Sequence, residues 1–258
     1  MIIGLLALAY VLFGGGNETF LLNPNLKKNV DTYVADKNRK MEIDQIIKQV
    51  GKSQASFQKE TKKVYDKKLV ELNMNRASTS SDFKLEYDSF YIDLKGLQNG
   101  YLDSELKMRS IIRLGEWDSI MNKVLQQPDK EKVRKNILGE NKKLHDRLLS
   151  ACEKRIPDSA GKEKAKRLVD GYEVKGDTLA YAFLNLNYRY IETLRPYNVT
   201  RQDFEPMRAE MIELRRNFTD YLIDMRFKLM EITPEKEWEG LAKELNNNFT
   251  YMGAGISK

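Results

Sequence analysis

Cysteine and histidine each occur once, as Cys152 and His145. A single thiol excludes an internal disulfide framework and any cysteine-rich metal site. A single imidazole excludes metal motifs that need two histidines. It also leaves a Ser-His-Asp arrangement only one candidate base, and no nucleophile motif lies beside it. His145 reads as a lone surface residue. The glycine-rich patterns that cradle phosphate are missing too, and Gly14-Gly15-Gly16 runs straight into Asn17 and Glu18. Proline is scarce, at six in 258 residues, so few positions must interrupt a helix. Residues 2 to 13 are apolar throughout, but that run falls short of the roughly 20 residues of a spanning helix. No basic side chain precedes it, so it lacks the n-region of a secretory signal. No cofactor, metal or enzymatic activity is expected from this inventory.

Charge and helix-forming residues are abundant instead. Charged residues make up 32% of the chain, and the net charge is +6. The strongest internal signal is a stretch that occurs twice, at 79–120 and 200–241. A shift of 121 positions superposes Thr79, Asp82, Phe83, Asp103, Lys107, Ile111, Glu116 and Trp117 on Thr200, Asp203, Phe204, Asp224, Lys228, Ile232, Glu237 and Trp238. Both tryptophans of the chain are in the match. Each copy opens on Thr-x-x-Asp, a capping box for a helix N-terminus. Pro206 is easiest to place if Asp203 is itself the cap. Apolar residues then recur every seven positions: Phe204, Met211, Phe218, Met225 and Ile232 in one copy, and Phe83, Phe90, Leu97 and Ile111 in the other. This is the stripe of a long helix packed along its length. Gly96 and Gly100 could mark a close helix crossing.

The fold class expected is all-α: an elongated antiparallel helical bundle of two duplicated long-helix hairpins, with a short N-terminal apolar anchor. Residues 1–22 would be the anchor and 24–128 the first hairpin. Residues 129–177 would be a basic helix and linker, and 178–250 the second hairpin. The span from Leu26 to Asn73 reads as one long helix. Gly171 to Asp177, with two glycines, is the expected linker between the repeated units.

Candidate sites are few. Lys130, Arg134, Lys135, Lys142, Lys143 and Arg147 crowd one helix and form a candidate interaction face for anionic lipid or an acidic partner. Asp103 and Asp224 hold equivalent positions and could meet as a carboxylate pair. The simpler expectation pairs each with the lysine four residues on. Phe83, Trp117, Phe204 and Trp238 read as core. The basic charge carries no nucleic-acid motif, so no nucleic-acid partner is expected.

The run from Asp224 to Leu229, followed by Ile232-Thr233-Pro234-Glu235-Lys236-Glu237-Trp238, resembles the helical hairpin proteins of bacterial envelopes of the Spy and CpxP type. There a long helix ends in a Leu-Thr-x-x-Gln-like turn. The glutamine is absent here, and the first copy has no threonine at that place. The resemblance implies an extracytoplasmic helical protein that binds other polypeptides without catalysis. The expected function is therefore a membrane-anchored envelope scaffold or chaperone-like module, inner-membrane tethered and leaning periplasmic, with envelope proteins as partners and oligomers possible. Lys27, Lys28, Lys37, Arg39 and Lys40 follow the apolar run and argue for the opposite topology. The alternative is a cytoplasm-facing membrane adaptor whose basic helix binds acidic lipid or protein.

Overall fold

A computed structural model describes residues 21, 23–61, 64–65, 67–125 and 130–249. The expected anchor at 1–22 lies almost wholly outside the described residues. Those residues are all-α, as the composition and periodicity require. Nine helices follow in order among them: α1 (Pro24–Tyr33), α2 (Lys37–Thr61), α3 (Lys67–Met74), α4 (Ser80–Ile111), α5 (Leu114–Val124), α6 (Lys130–Arg155), α7 (Ser159–Leu194), α8 (Arg201–Ile232) and α9 (Glu235–Phe249). No helix among the described residues is long and apolar enough to cross a membrane.

Local chemistry sets the boundaries. Thr79 closes the N-terminus of α4: its backbone N–H donates to the Asp82 carboxylate at 2.7 Å, and its hydroxyl accepts from the Asp82 N–H at 3.3 Å. Thr200 does the same for α8, with its N–H 2.6 Å from the Asp203 carboxylate. The cap is therefore Thr200, not Asp203, and Pro206 stands inside α8. A proline there removes one helical hydrogen bond.

The stretch from Leu26 to Asn73 is three helices rather than one. The Val34 backbone is extended and ends α1, and the Asp36 carboxylate accepts from the Arg39 N–H at 2.8 Å to start α2. Asp36 thus supplies the stop that neither glycine nor proline announced. The expected linker at 171–177 is also not one, because it lies within the 36 residues of α7. A Cβ on Gly171 would stand 3.3 Å from the Tyr221 hydroxyl, and one on Gly176 would stand 3.7 Å from Asn141 Nδ2. Gly171 thus leaves room for Tyr221 of α8, whereas a side chain at 176 would make an ordinary contact. Gly96 and Gly100 mark no crossing, since nothing lies within 4 Å of a Cβ placed on either.

α2 packs on α4 and α7 on α8; α1 packs on α5 and α6 on α9; α4 and α8 meet each other. α4 and α8 are each 32 residues long and stand 121 positions apart. The likeness also reaches upstream of the stretch that the sequence matched. Leu26, Val30, Val34 and Asp36 play the parts of Leu148, Cys152, Ile156 and Asp158, now 122 positions apart. All six of the apolar residues are buried. Val34 N–H donates to Val30 O, and Ile156 N–H donates to Cys152 O. Asp158 caps α7 through the Gly161 N–H, as Asp36 caps α2.

The core has three parts. One is built mainly on α6–α9 around Val169, Phe183, Phe218, Leu229 and Trp238. Another joins α1, α2, α4 and α5 to Leu186, Leu194 and Phe204 of the later helices. A smaller aromatic group, with Tyr65, Phe83, Tyr87, Phe90 and Tyr91, packs on Ile223. The second and third parts therefore cross between the first and second halves of the chain.

Candidate functional site

The repeat-signature residues are mainly architectural. Phe83, Trp117, Phe204 and Trp238 are all core, and both tryptophans are almost completely shielded from solvent. Each tryptophan closes a helix of the other half. Trp117 on α5 donates its indole N–H to Arg195 O at the end of α7, at 2.9 Å. Trp238 on α9 donates to Asn73 O at the end of α3, at 3.1 Å. A buried arginine reinforces each closure. Arg109 reaches Leu194 O at 3.1 Å and Tyr197 O at 3.3 Å, and it also donates to Pro196 O. Arg226 Nη2 reaches Leu72 O at 3.2 Å, Asn73 O at 3.4 Å and Asn75 O at 2.8 Å. A helix C-terminus leaves carbonyls unsatisfied and carries partial negative charge, so a guanidinium suits it. Each cation also lies against its tryptophan, Arg109 at 4.0 Å from the ring centre and Arg226 at 5.2 Å.

The other repeated charges are structural or exposed. Arg39 grips Glu116 with contacts of 2.6 and 2.8 Å, which tie α2 to α5 and hold the Glu116 carboxyl down to about 2. Arg155 plays the same part for Glu237 at 3.2 Å. Asp103 and Asp224 do not converge as a pair. Asp103 is exposed against Arg201, whereas the expected partner was Lys107, and Asp224 is exposed against Lys228 at 2.7 Å.

The basic helix α6 does not present its six candidate residues as one face. Arg134 lies 5.1 Å from the Tyr181 ring centre. Lys130 lies 5.9 Å from the same ring and 5.4 Å from that of Tyr188. Arg134 rims a cleft of about 380 Å3 between α6 and α7. Its walls are Ile137, Leu138, Ala180, Tyr181 and Leu184, with Asp177 and Thr178 at one end. Asp177 is already engaged by Asn141 Nδ2 at 2.7 Å. Lys142 turns instead to Asp146 at 3.0 Å and Glu173 at 3.9 Å. Lys135, Lys143 and Arg147 are exposed elsewhere on α6.

His145 is not a surface residue. It is 5% exposed. Its Nε2 lies 2.7 Å from Asp170 of α7 and 3.7 Å from Glu173, and its Nδ1 lies 2.9 Å from Asp146. Carboxylates accept at both nitrogens only if the ring is doubly protonated. Burial opposes that charge, but Asp170, Asp146 and Glu173 outweigh it and raise the His145 pKa. Its place on the apolar line of α6, one residue after Leu144 and three before Leu148, was the signal that it is buried. Cys152 is buried, which pushes its thiol up to about 12. No group of acidic, histidine or cysteine side chains among the described residues could hold a metal ion.

The sequence reading missed Arg109 and Arg226. Arg226 continues the row Phe218, Leu222, Arg226, Leu229, where helical spacing puts it on the buried face. Searches of family models, curated proteins and solved structures found no match to this chain.

Proposed function

We propose that this chain is a non-enzymatic, membrane-anchored envelope protein that contacts other polypeptides as a scaffold or chaperone-like module. In this reading its described part is a duplicated helical unit, fused head to tail, and residues 1–22 are the tether. The recurrence of matched helices, caps and tryptophan closures at 121 or 122 positions supports the duplication. The observation that carries the binding role is the α6–α7 cleft. It is open, floored by aliphatic side chains and rimmed by Arg134 stacked on Tyr181, a composition typical of protein contacts. Polar groups elsewhere, such as Arg109, Arg226 and Glu116, are spent on holding helices together.

The second reading is a cytoplasm-facing membrane adaptor. The exposed Lys135, Lys143 and Arg147 of α6 favour it, because such a surface suits anionic lipid. One experiment separates the two. Cys152 is replaced by serine, a cysteine is added after Lys258, and intact cells receive a thiol reagent that reaches the periplasm but not the cytoplasm. Labelling supports the envelope module. Protection that is lost on lysis supports the adaptor. A photo-crosslinking residue at position 181 then tests the binding role. Absence of any polypeptide adduct in the native compartment would sink it.

A further inference from the structure

We propose that the α6–α7 cleft receives an amphipathic helix whose flanks are acidic. The inference rests on the protein-binding reading above and names the chemistry of its partner. Its first support is periodicity. Val174, Tyr181 and Tyr188 recur every seven residues along α7, with Thr178 and Asn185 between them. In a helix those five positions form one line. Its first three positions are exposed, Val174 at 68% and Tyr181 at 45% with Thr178 between them, and Asn185 and Tyr188 are half-buried. A heptad row of apolar and aromatic side chains beside a cleft is the docking surface that another helix fits, with its own apolar stripe laid along the groove.

The second support is charge. Two cations, Lys130 and Arg134, overhang the tyrosines of this line. α7 carries no acidic residue between Asp177 and Glu192. Asp177 is held by Asn141, and Glu131 lies 3.5 Å from Arg134 at the exposed rim. A basic partner would meet like charge over the apolar line. An acidic partner would replace water around two cations that are already positioned by the rings. The length also fits. Val174 to Tyr188 spans about 21 Å of helix, which a partner of roughly 18 residues covers with a turn to spare.

The test uses the full chain and two labelled synthetic helical peptides of about 18 residues. Both carry leucine at heptad spacing. One has glutamate on its flanks and the other has lysine at the same places. Binding is read by fluorescence anisotropy, for wild type, Tyr181→Ala and Arg134→Glu. Both substitutions lie at the surface, and unchanged circular dichroism checks that they fold. The acidic peptide is expected to bind wild type, to lose about tenfold in affinity with either variant, and to weaken as salt rises. The proposal is overturned if the lysine peptide binds as well, if the variants bind the acidic peptide unchanged, or if the acidic peptide does not bind. In each of those cases a polypeptide crosslink from position 181 in cells would leave the broader binding role standing.

Discussion

The indole N–H of Trp238 donates to the carbonyl of Asn73, 165 residues earlier in the chain. Trp117 and Arg195 make the mirrored contact from the other side. Each half of the molecule therefore supplies the closing group for a helix of the other.

This exchange predicts one cooperative unfolding unit. Trp117→Phe and Trp238→Phe each leave a single tryptophan as reporter. Each variant loses one buried hydrogen bond, at a cost of about 1 kcal/mol. In urea, fluorescence and circular dichroism midpoints should coincide within each variant. Two separated transitions would show that the halves unfold independently.

Arg226 should not be replaceable by lysine. Three carbonyls share its Nη2, and the planar cation stacks over Phe227 at 4.4 Å. An ammonium is a compact point charge and does not reproduce a flat cation stacked on a ring. Arg226→Lys is expected to lose about 2 kcal/mol or more, within the range for hydrogen bonds to charged groups. Denaturation that matches wild type would refute the clamp.

His145 makes stability depend on pH in one direction. Its pKa is raised in the folded state, above an ordinary value of 6.5. Its stabilising effect is thus complete below that ordinary value and is lost as pH rises through the folded one. The facing groups are Lys142 and Asp146 on α6 with Asp170 and Glu173 on α7. Melting temperatures of wild type and His145→Gln should differ most near about pH 6 and converge toward alkaline pH. Parallel profiles would mean that folding leaves the His145 pKa unshifted.

Gly96→Ala and Gly100→Ala should stabilise the protein. Both positions are helical with open space around them. Each change is worth about 0.5–1 kcal/mol through lower backbone entropy in the unfolded chain. A loss of stability in both would mean that something packs on this face of α4.

Pro206→Ala tests the cap assignment. With Thr200 as the cap, the alanine restores a helical N–H inside α8 and should add roughly 1–3 kcal/mol. No gain in melting temperature would place residue 206 in a first turn, where proline costs little.

Some of this was readable from the residues. The Thr79/Asp82 and Thr200/Asp203 boxes are local chemistry, and both helices start where those boxes put them. The seven-residue rows identified the buried face of α4 and α8. Gly171 misled because a linker and a close helix contact ask for the same residue, and Gly176 is simply tolerated inside α7. Asp36 escaped notice because a single aspartate breaks a helix only when the residues before it turn extended to bury Val34. The cleft was legible only in half: the cations of α6 were visible, but not that Lys130 and Arg134 would find Tyr181, which depends on how α6 lies on α7. The clamps were the least legible, since they join residues more than 75 positions apart.

The crossed closure also bears on the order of synthesis. A chain made from its N-terminus completes α3 long before α9 exists. Until Trp238 and Arg226 emerge, the carbonyls of Leu72 and Asn73 lack the donors that close them. The first half therefore cannot reach its final form on the ribosome, and native contacts of such long sequence separation slow folding. A nascent chain stalled before α9 should be open to protease around residue 75, and the finished protein should resist cleavage there.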